Sequence, residues 1–300
     1  MLGAEVAAGF GPGKVILLGE HGVVYGEPAL AAPLRVGVQA VARAAERCSV
    51  VCPRDLSPVH RRALEEAFAR AALLTGAPKV QVSLKSDLPV SMGLGSSAAL
   101  SVAVARALIA AAPPRPGRKA SELEVALAME KVFHGTPSGV DHATSACGNP
   151  VLFKQGKVKP LVAKRPIDVV VVLLGDRPST KDTVRGLRER QARWPDRYRR
   201  LFREIGHVAR EGAEAVTSGE LESLGDLMNL NQGLLCALQL SSDRIDAMTR
   251  ELRAMGALGA KLTGAGGDGG AVIGLFEDAA GAVRTLSKNG VNCFASRLAG

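Results

Sequence analysis

Several groups of residues in this 300-residue chain have the types and spacing that chemistry requires. In the run GPGKVILLGEHGVVYG at 11–26, Lys14, Glu20 and His21 flank an apolar strand. Core strands seldom carry three ionisable groups at their ends, so the cluster points to a site. It is not a Walker A loop, because the spacing before Gly13-Lys14 is one residue short and Val15 stands where Ser or Thr would hold magnesium. The run PVSMGLGSSAA at 89–99 is a loop of small residues opening a helix. Such a loop exposes backbone N–H groups at the positive end of the helix dipole and makes a phosphate cradle. Ser96 and Ser97 add hydroxyls for a phosphate or its magnesium, or serve simply as an N-cap. GLGSSA also matches a dinucleotide fingerprint, but Pro113-Pro-Arg-Pro occupies the place of the second strand that such a unit needs, which excludes NAD.

Two further groups carry carboxylates. On a helical wheel of 121–134, Glu130 and His134 share a stripe with Leu123, Ala126 and Leu127. A carboxylate on an apolar stripe is costly unless it is paired or binds a metal. A buried ion pair meets that demand; so would a Glu/His zinc pair, for which no third ligand is evident. In GTPSGVDH at 135–142, Ser138 and Asp141 have the spacing of a capping box. Finally, KLTGAGGDGGA at 261–271 holds five glycines between Gly264 and Gly270. A simple turn needs fewer, and close approach of the backbone to a ligand or to another domain accounts for the excess.

The elements that must position these groups follow from periodicity. Residues 14–18 read as a strand, with a turn at 22–24, and Val80–Leu84 alternates as a half-buried strand. A helix over about 98–112 ends at a proline-rich stretch, and Ser121-Glu-Leu-Glu124 is a capping box opening the next helix. Strands are predicted at 151–153, 169–174 and 271–276. Helices are predicted over about 180–239 and 243–255, with one more at the end. Helices and strands mix without strict alternation, which gives an α+β class with two domains, 1–165 and 166–300.

Composition narrows the function. Apolar residues make up 47% and charged residues 22%, as in soluble globular proteins. The net charge is +9, much of it in 181–210, where ten Lys/Arg face four Asp/Glu. That stretch reads as a solvated helix face or as a field attracting an anionic substrate. Aromatics at 3% leave little for bases to stack on, so nucleic acid is not an expected partner. No stretch is long and apolar enough for a membrane span, no signal peptide is evident, and five scattered cysteines without a CxxC pair suit a cytoplasmic setting.

The three glycine-rich loops, in this order, resemble the superfamily named for galacto-, homoserine, mevalonate and phosphomevalonate kinases, the GHMP kinases, and within it the mevalonate kinases. Residues 13–26 are similar to the motif GKVILxGEHxVVxG, where a galactokinase would continue GEH with Thr-Asp-Tyr. Residues 135–141 resemble GxPSGxD, and 261–267 resemble the third motif; a homoserine kinase would lack both Lys14 and Asp141. The resemblance implies a ribosomal protein S5 domain 2-like N-terminal domain and a ferredoxin-like C-terminal one. It implies transfer of a phosphoryl group from ATP to the 5-hydroxyl of mevalonate, with Asp141 as catalytic base and Lys14 close to it, neutralising charge. Ser97 and Glu130 would hold Mg2+. Ser91, Met92, Gly93, Leu94, Gly95, Ser96 and Ser97 would wrap the ATP phosphates with Ser86 nearby, and Glu20, His21 and Thr180 would line the mevalonate pocket. A homodimer is the implied assembly. Two departures stand out: Asp268-Gly-Gly interrupts the usual glycine run, and His142 replaces an asparagine.

Overall fold

The computed structural model describes residues 5–52, 56–77, 79–89, 92–113, 120–135, 137–175 and 180–299. Ten strands and nine helices are formed in these segments. In order they are β1 (Glu5–Leu18), β2 (Ala29–Ala44), β3 (Ser49–Val50), α1 (Pro58–Thr75), β4 (Val80–Ser86), α2 (Ser96–Ala111), α3 (Glu122–His134), α4 (Val140–Cys147), β5 (Val151–Lys154), β6 (Lys157–Pro160), β7 (Ile167–Leu173), α5 (Thr180–Arg193), α6 (Pro195–Ser218), α7 (Leu221–Ala237), α8 (Asp243–Ala254), β8 (Gly259–Thr263), β9 (Ala271–Phe276), α9 (Ala279–Lys288) and β10 (Cys293–Ala299). A 3-10 turn, Gly22–Tyr25, follows β1.

The chain forms two compact units that share segments of sequence. The first unit comprises residues 1–13, 36–89 and 95–146; the second comprises 14–35, 90–94 and 147–300. β1 is divided between the two units after residue 13 and β2 after residue 35.

In the first unit, β2 pairs antiparallel with β4 from Val38↔Ser86 to Ala44↔Val80, and β3 lies parallel to β4. Helices α1, α2 and α3 pack on one another. The small residues of β1 and α2 have a packing reason. A Cβ at Gly11 would come within 1.9 Å of the Ala99 carbonyl oxygen, and one at Gly9 within 2.3 Å of that of Ala103. The strand therefore lies directly on the alanine-rich helix. The capping box that opens α3 is present: the Ser121 hydroxyl accepts from Glu124 N–H, and the Glu124 carboxylate accepts from Ser121 N–H.

In the second unit, β5 pairs with β2 and with β6. A separate four-stranded antiparallel sheet has the order β10-β7-β9-β8. Counted from β7, that is fourth, first, third, second, the ferredoxin-like order the resemblance implies. β7 and β9 are largely buried apolar runs, and Val170, Val172, Leu262 and Val272 meet Phe202, Ile205, Leu235 and Ile245 from the helices. The predicted helical stretch 180–239 is three helices. Pro195 occupies the first turn of α6 and bars continuation from α5, and Gly219 ends α6 in the left-handed conformation at φ 82°. The arginine-rich stretch spans α5 and the start of α6, where Arg185 and Arg199 pair with Asp182 and Asp196 at the surface.

Among the described residues no helix is long and apolar enough to cross a membrane. The five cysteines are free.

Candidate active site

Within the first unit, α2 starts from a glycine N-cap. Gly95 adopts φ 72° and, as a glycine, offers the helix no side-chain cap. Ser96 and Ser97 are its first helical residues, so the alternative in which a serine merely caps the helix does not apply. The first-turn N–H groups of a helix have no partner within it. From the second residue of α2, Ser97 Oγ lies 3.5 Å from Glu130 Oε2 and 2.9 Å from His134 Nε2. Ser101, one turn further on, donates to Glu130 Oε1 at 3.3 Å. Glu130 is only 2% exposed. The sequence reading had Leu123 and His134 on the buried stripe of this helix, but both are exposed. The buried face is Val125, Ala126, Met129 and Glu130, because α3 packs against both α1 and α2 and the two together set its orientation.

A carboxylate beside a serine hydroxyl suits a hard cation. Mg2+ is commonly bound by one or two carboxylates together with substrate phosphates rather than by an all-protein cage. Among the described residues no cluster of three or more His, Cys, Asp or Glu could hold a metal alone. The zinc alternative thus has no third ligand here either.

Asp141 lies in the first turn of α4 and is partly exposed. Its neighbour His142 is buried, with no hydrogen-bond partner for Nδ1 among the described residues. Burial lowers the His142 pKa, against the opposing pull of Asp141. Ser86 ends β4, and its hydroxyl closes a local turn with Leu88, accepting from the Leu88 N–H at 3.2 Å. Ser91 lies outside the described residues, as does the Thr180 side chain; Thr180 is the first residue of α5.

The second unit gathers segments of all three glycine-rich loops. Lys14 N–H donates to the Leu94 carbonyl at 2.9 Å, and Lys14 Nζ donates to the Gly93 carbonyl at 3.1 Å. Met92 is partly exposed and Leu94 buried. Gly264 lies against Gly93, where a Cβ would come within 3.3 Å of the Gly93 Cα. Thr263 bridges to β1: its hydroxyl accepts from Ile16 N–H at 2.9 Å and lies 3.2 Å from the Ile16 carbonyl.

The glycines of the third loop all have positive φ, from 70° at Gly266 to 149° at Gly269. A Cβ at Gly266 would meet the Leu240 carbonyl oxygen at 2.2 Å. The excess glycine therefore serves backbone conformation and a close approach within this unit. Asp268 is exposed.

Glu20 departs from the expectation that it lines a substrate pocket. It is 1% exposed; one oxygen is held by the buried ammonium of Lys261, and the other accepts from Asn231 Nδ2 at 3.1 Å. Burial pushes the Glu20 pKa up and that of Lys261 down, while their attraction opposes both shifts. His21 is partly exposed, with Nε2 3.0 Å from the Ala265 carbonyl oxygen. Burial lowers its pKa to about 4. Lys261 and Asn231 were not singled out from sequence: the first stands in what reads as a glycine loop, and the second is one polar residue in a long helical run. A lysine between Ala260 and Leu262 was the available local signal.

The family model for the GHMP kinases N terminal domain matches residues 59–149, and that for the GHMP kinases C terminal matches 213–292. The phosphoryl-transfer fold of the GHMP kinases is therefore the fold of this chain. A mevalonate kinase of Pyrococcus horikoshii is 34% identical over 293 residues, covering 86% of this chain and 85% of the relative. The crystal structure of L. major mevalonate kinase in complex with R-mevalonate superimposes with a TM-score of 0.82 at 26% identity, covering 99% of this chain and 97% of that one. The chain belongs to the mevalonate kinase family. Fold alone would not have separated it from its cousins. Streptococcus pneumoniae phosphomevalonate kinase reaches a TM-score of 0.77 at 16% identity, covering 98% of this chain and 100% of that one.

Proposed function

We infer that this chain phosphorylates the 5-hydroxyl of (R)-mevalonate with ATP, giving 5-phosphomevalonate for isoprenoid biosynthesis, the activity of the family to which it belongs. Kinases depend mainly on positioning and charge neutralisation, and the residues divide along those lines. The uncapped N-terminus of α2, with Gly93–Ser97, supplies N–H groups and hydroxyls for the ATP phosphates. Ser97 and Glu130 are the residues that would hold Mg2+, and the ion when bound neutralises charge on phosphate oxygens. The observation that supports this reading most directly is the 3.5 Å approach of Ser97 Oγ to the buried Glu130 carboxylate. Lys14 adds a fixed positive charge beside the Gly93 carbonyl. Asp141 accepts the proton of the attacking hydroxyl, or holds that hydroxyl in line as an ionised carboxylate. His21 and Thr180 contact mevalonate. A homodimer and a cytoplasmic setting complete the proposal.

ADP release would be followed with Mg-ATP and, separately, mevalonate, phosphomevalonate, homoserine and galactose. Turnover is expected on mevalonate, and turnover only on another of the four would overturn the substrate reading. Asp141→Asn should lower kcat by about a thousandfold or more while ATP still binds. An active Asp141→Asn enzyme removes that residue from the mechanism.

A further inference from the structure

The turn after β1 is held from beneath by three buried polar side chains. Lys261, fully buried, donates to Glu20 and also to the carbonyls of Ile16 and Leu262. Asn231, equally buried, donates to Glu20 Oε2 at 3.1 Å and accepts the Gly19 N–H on Oδ1 at 3.4 Å. The backbone above them is unusual. Gly19 sits at φ 105°, where a Cβ would come within 2.5 Å of the Ala29 Cα. His21 sits at φ 60° and ψ −41°, a rare conformation that a non-glycine residue keeps only where its surroundings enforce it. Lys261, Glu20 and Asn231 are those surroundings.

The turn also decides which nitrogen of His21 carries hydrogen. A carbonyl oxygen can only accept, so the 3.0 Å contact with Ala265 requires Nε2–H as donor. Burial and the nearby Lys261 charge keep the ring neutral at neutral pH. Nδ1 is then left with a lone pair and no proton, an acceptor that suits a hydroxyl and repels a carboxylate.

We propose that Lys261 is a positioning residue: with Asn231 it makes Glu20 a buried anchor, and the anchored turn presents His21 Nδ1 as acceptor for a hydroxyl of the substrate, not for its carboxylate. This rests on the reading that His21 contacts mevalonate. Glu20 then acts through His21 and does not touch substrate.

The test uses the full chain with 15N-labelled histidine, and two-bond proton–nitrogen spectra assign His21 by its loss in His21→Gln. The wild-type spectrum should show His21 fixed in the Nε2–H form near neutral pH, and an Nδ1–H form overturns the hydroxyl assignment. In Lys261→Met the His21 signals should average between tautomers. KM for mevalonate should rise about tenfold, with KM for ATP changed by less than about twofold. A folded Lys261→Met protein with unchanged His21 signals and unchanged mevalonate KM overturns the positioning role. If that variant does not fold, the double variant Lys261→Met/Glu20→Gln, which strands no charge in the interior, is measured the same way with the same criteria. An unchanged mevalonate KM in His21→Gln would instead overturn the underlying reading of His21, while the tautomer result stands on its own.

Discussion

Among the described residues, each compact unit buries one carboxylate almost completely, and the contacts of the two differ. In the second unit Glu20 is locked against the ammonium of Lys261, itself fully buried. In the first unit the Glu130 oxygens face the neutral hydroxyls of Ser97 and Ser101, with an exposed His134 3.9 Å away. A lysine held by three acceptors cannot give way to a ligand without leaving a charge unpaired in the interior. Hydroxyls can rotate and admit a cation at little cost. Equal burial of equal side chains therefore fits an anchor in one unit and, in the proposed function, a Mg2+ ligand in the other.

That contrast can be broken by experiment. The largest separation should come from Glu130→Gln, which is expected to lower kcat by about a hundredfold or more and weaken the Mg2+ dependence, with the thermal midpoint nearly unchanged. If Glu130→Gln instead lowers the thermal midpoint steeply while the folded protein keeps its specific activity, the contrast collapses. Lys261→Met should do the reverse, costing about 3–5 kcal/mol of stability by stranding Glu20 in the interior. The double variant Lys261→Met/Glu20→Gln, which removes both charges, should recover much of that loss in denaturant titration. A double variant no more stable than the single one would show that the pair's charge is not what matters.

The smallest effect is a pH dependence. The His21 pKa falls from the ordinary 6.5 to about 4 on folding, so the unfolded chain takes up a proton that the folded chain refuses. His21 thus contributes stability that is complete above about pH 6.5 and lost as pH falls towards 4. Comparing denaturation midpoints of wild type and His21→Gln over that range isolates the contribution, and parallel curves would exclude it. Lys261, which also lowers this pKa, and Glu20 must be intact in both proteins.

Much was legible because it is written locally. The Ser121/Glu124 capping box, the helix of small residues after Gly95 and the valine run of β7 each depend on neighbours in sequence, and all are present. Other elements were missed for equally physical reasons. β2 contains Pro33 and Gly37 and many alanines, a poor strand by propensity that partners on both sides override. β8 is buried on both faces, so it shows no alternation, and its Lys261 looks like part of a loop. β10 was missed altogether; its register is set by pairing with β7.

Sequence alone carried the residue types and their order: a glycine loop opening a helix, a lysine, a carboxylate on an apolar stripe and an aspartate, in an order that resembles one kinase superfamily. Those are properties of residue type and spacing. Which buried carboxylate is an anchor and which faces movable hydroxyls was decided only by tertiary structure. Lys261 and Asn231 stand more than two hundred residues from Glu20, and no local pattern records a partner that folding brings from so far.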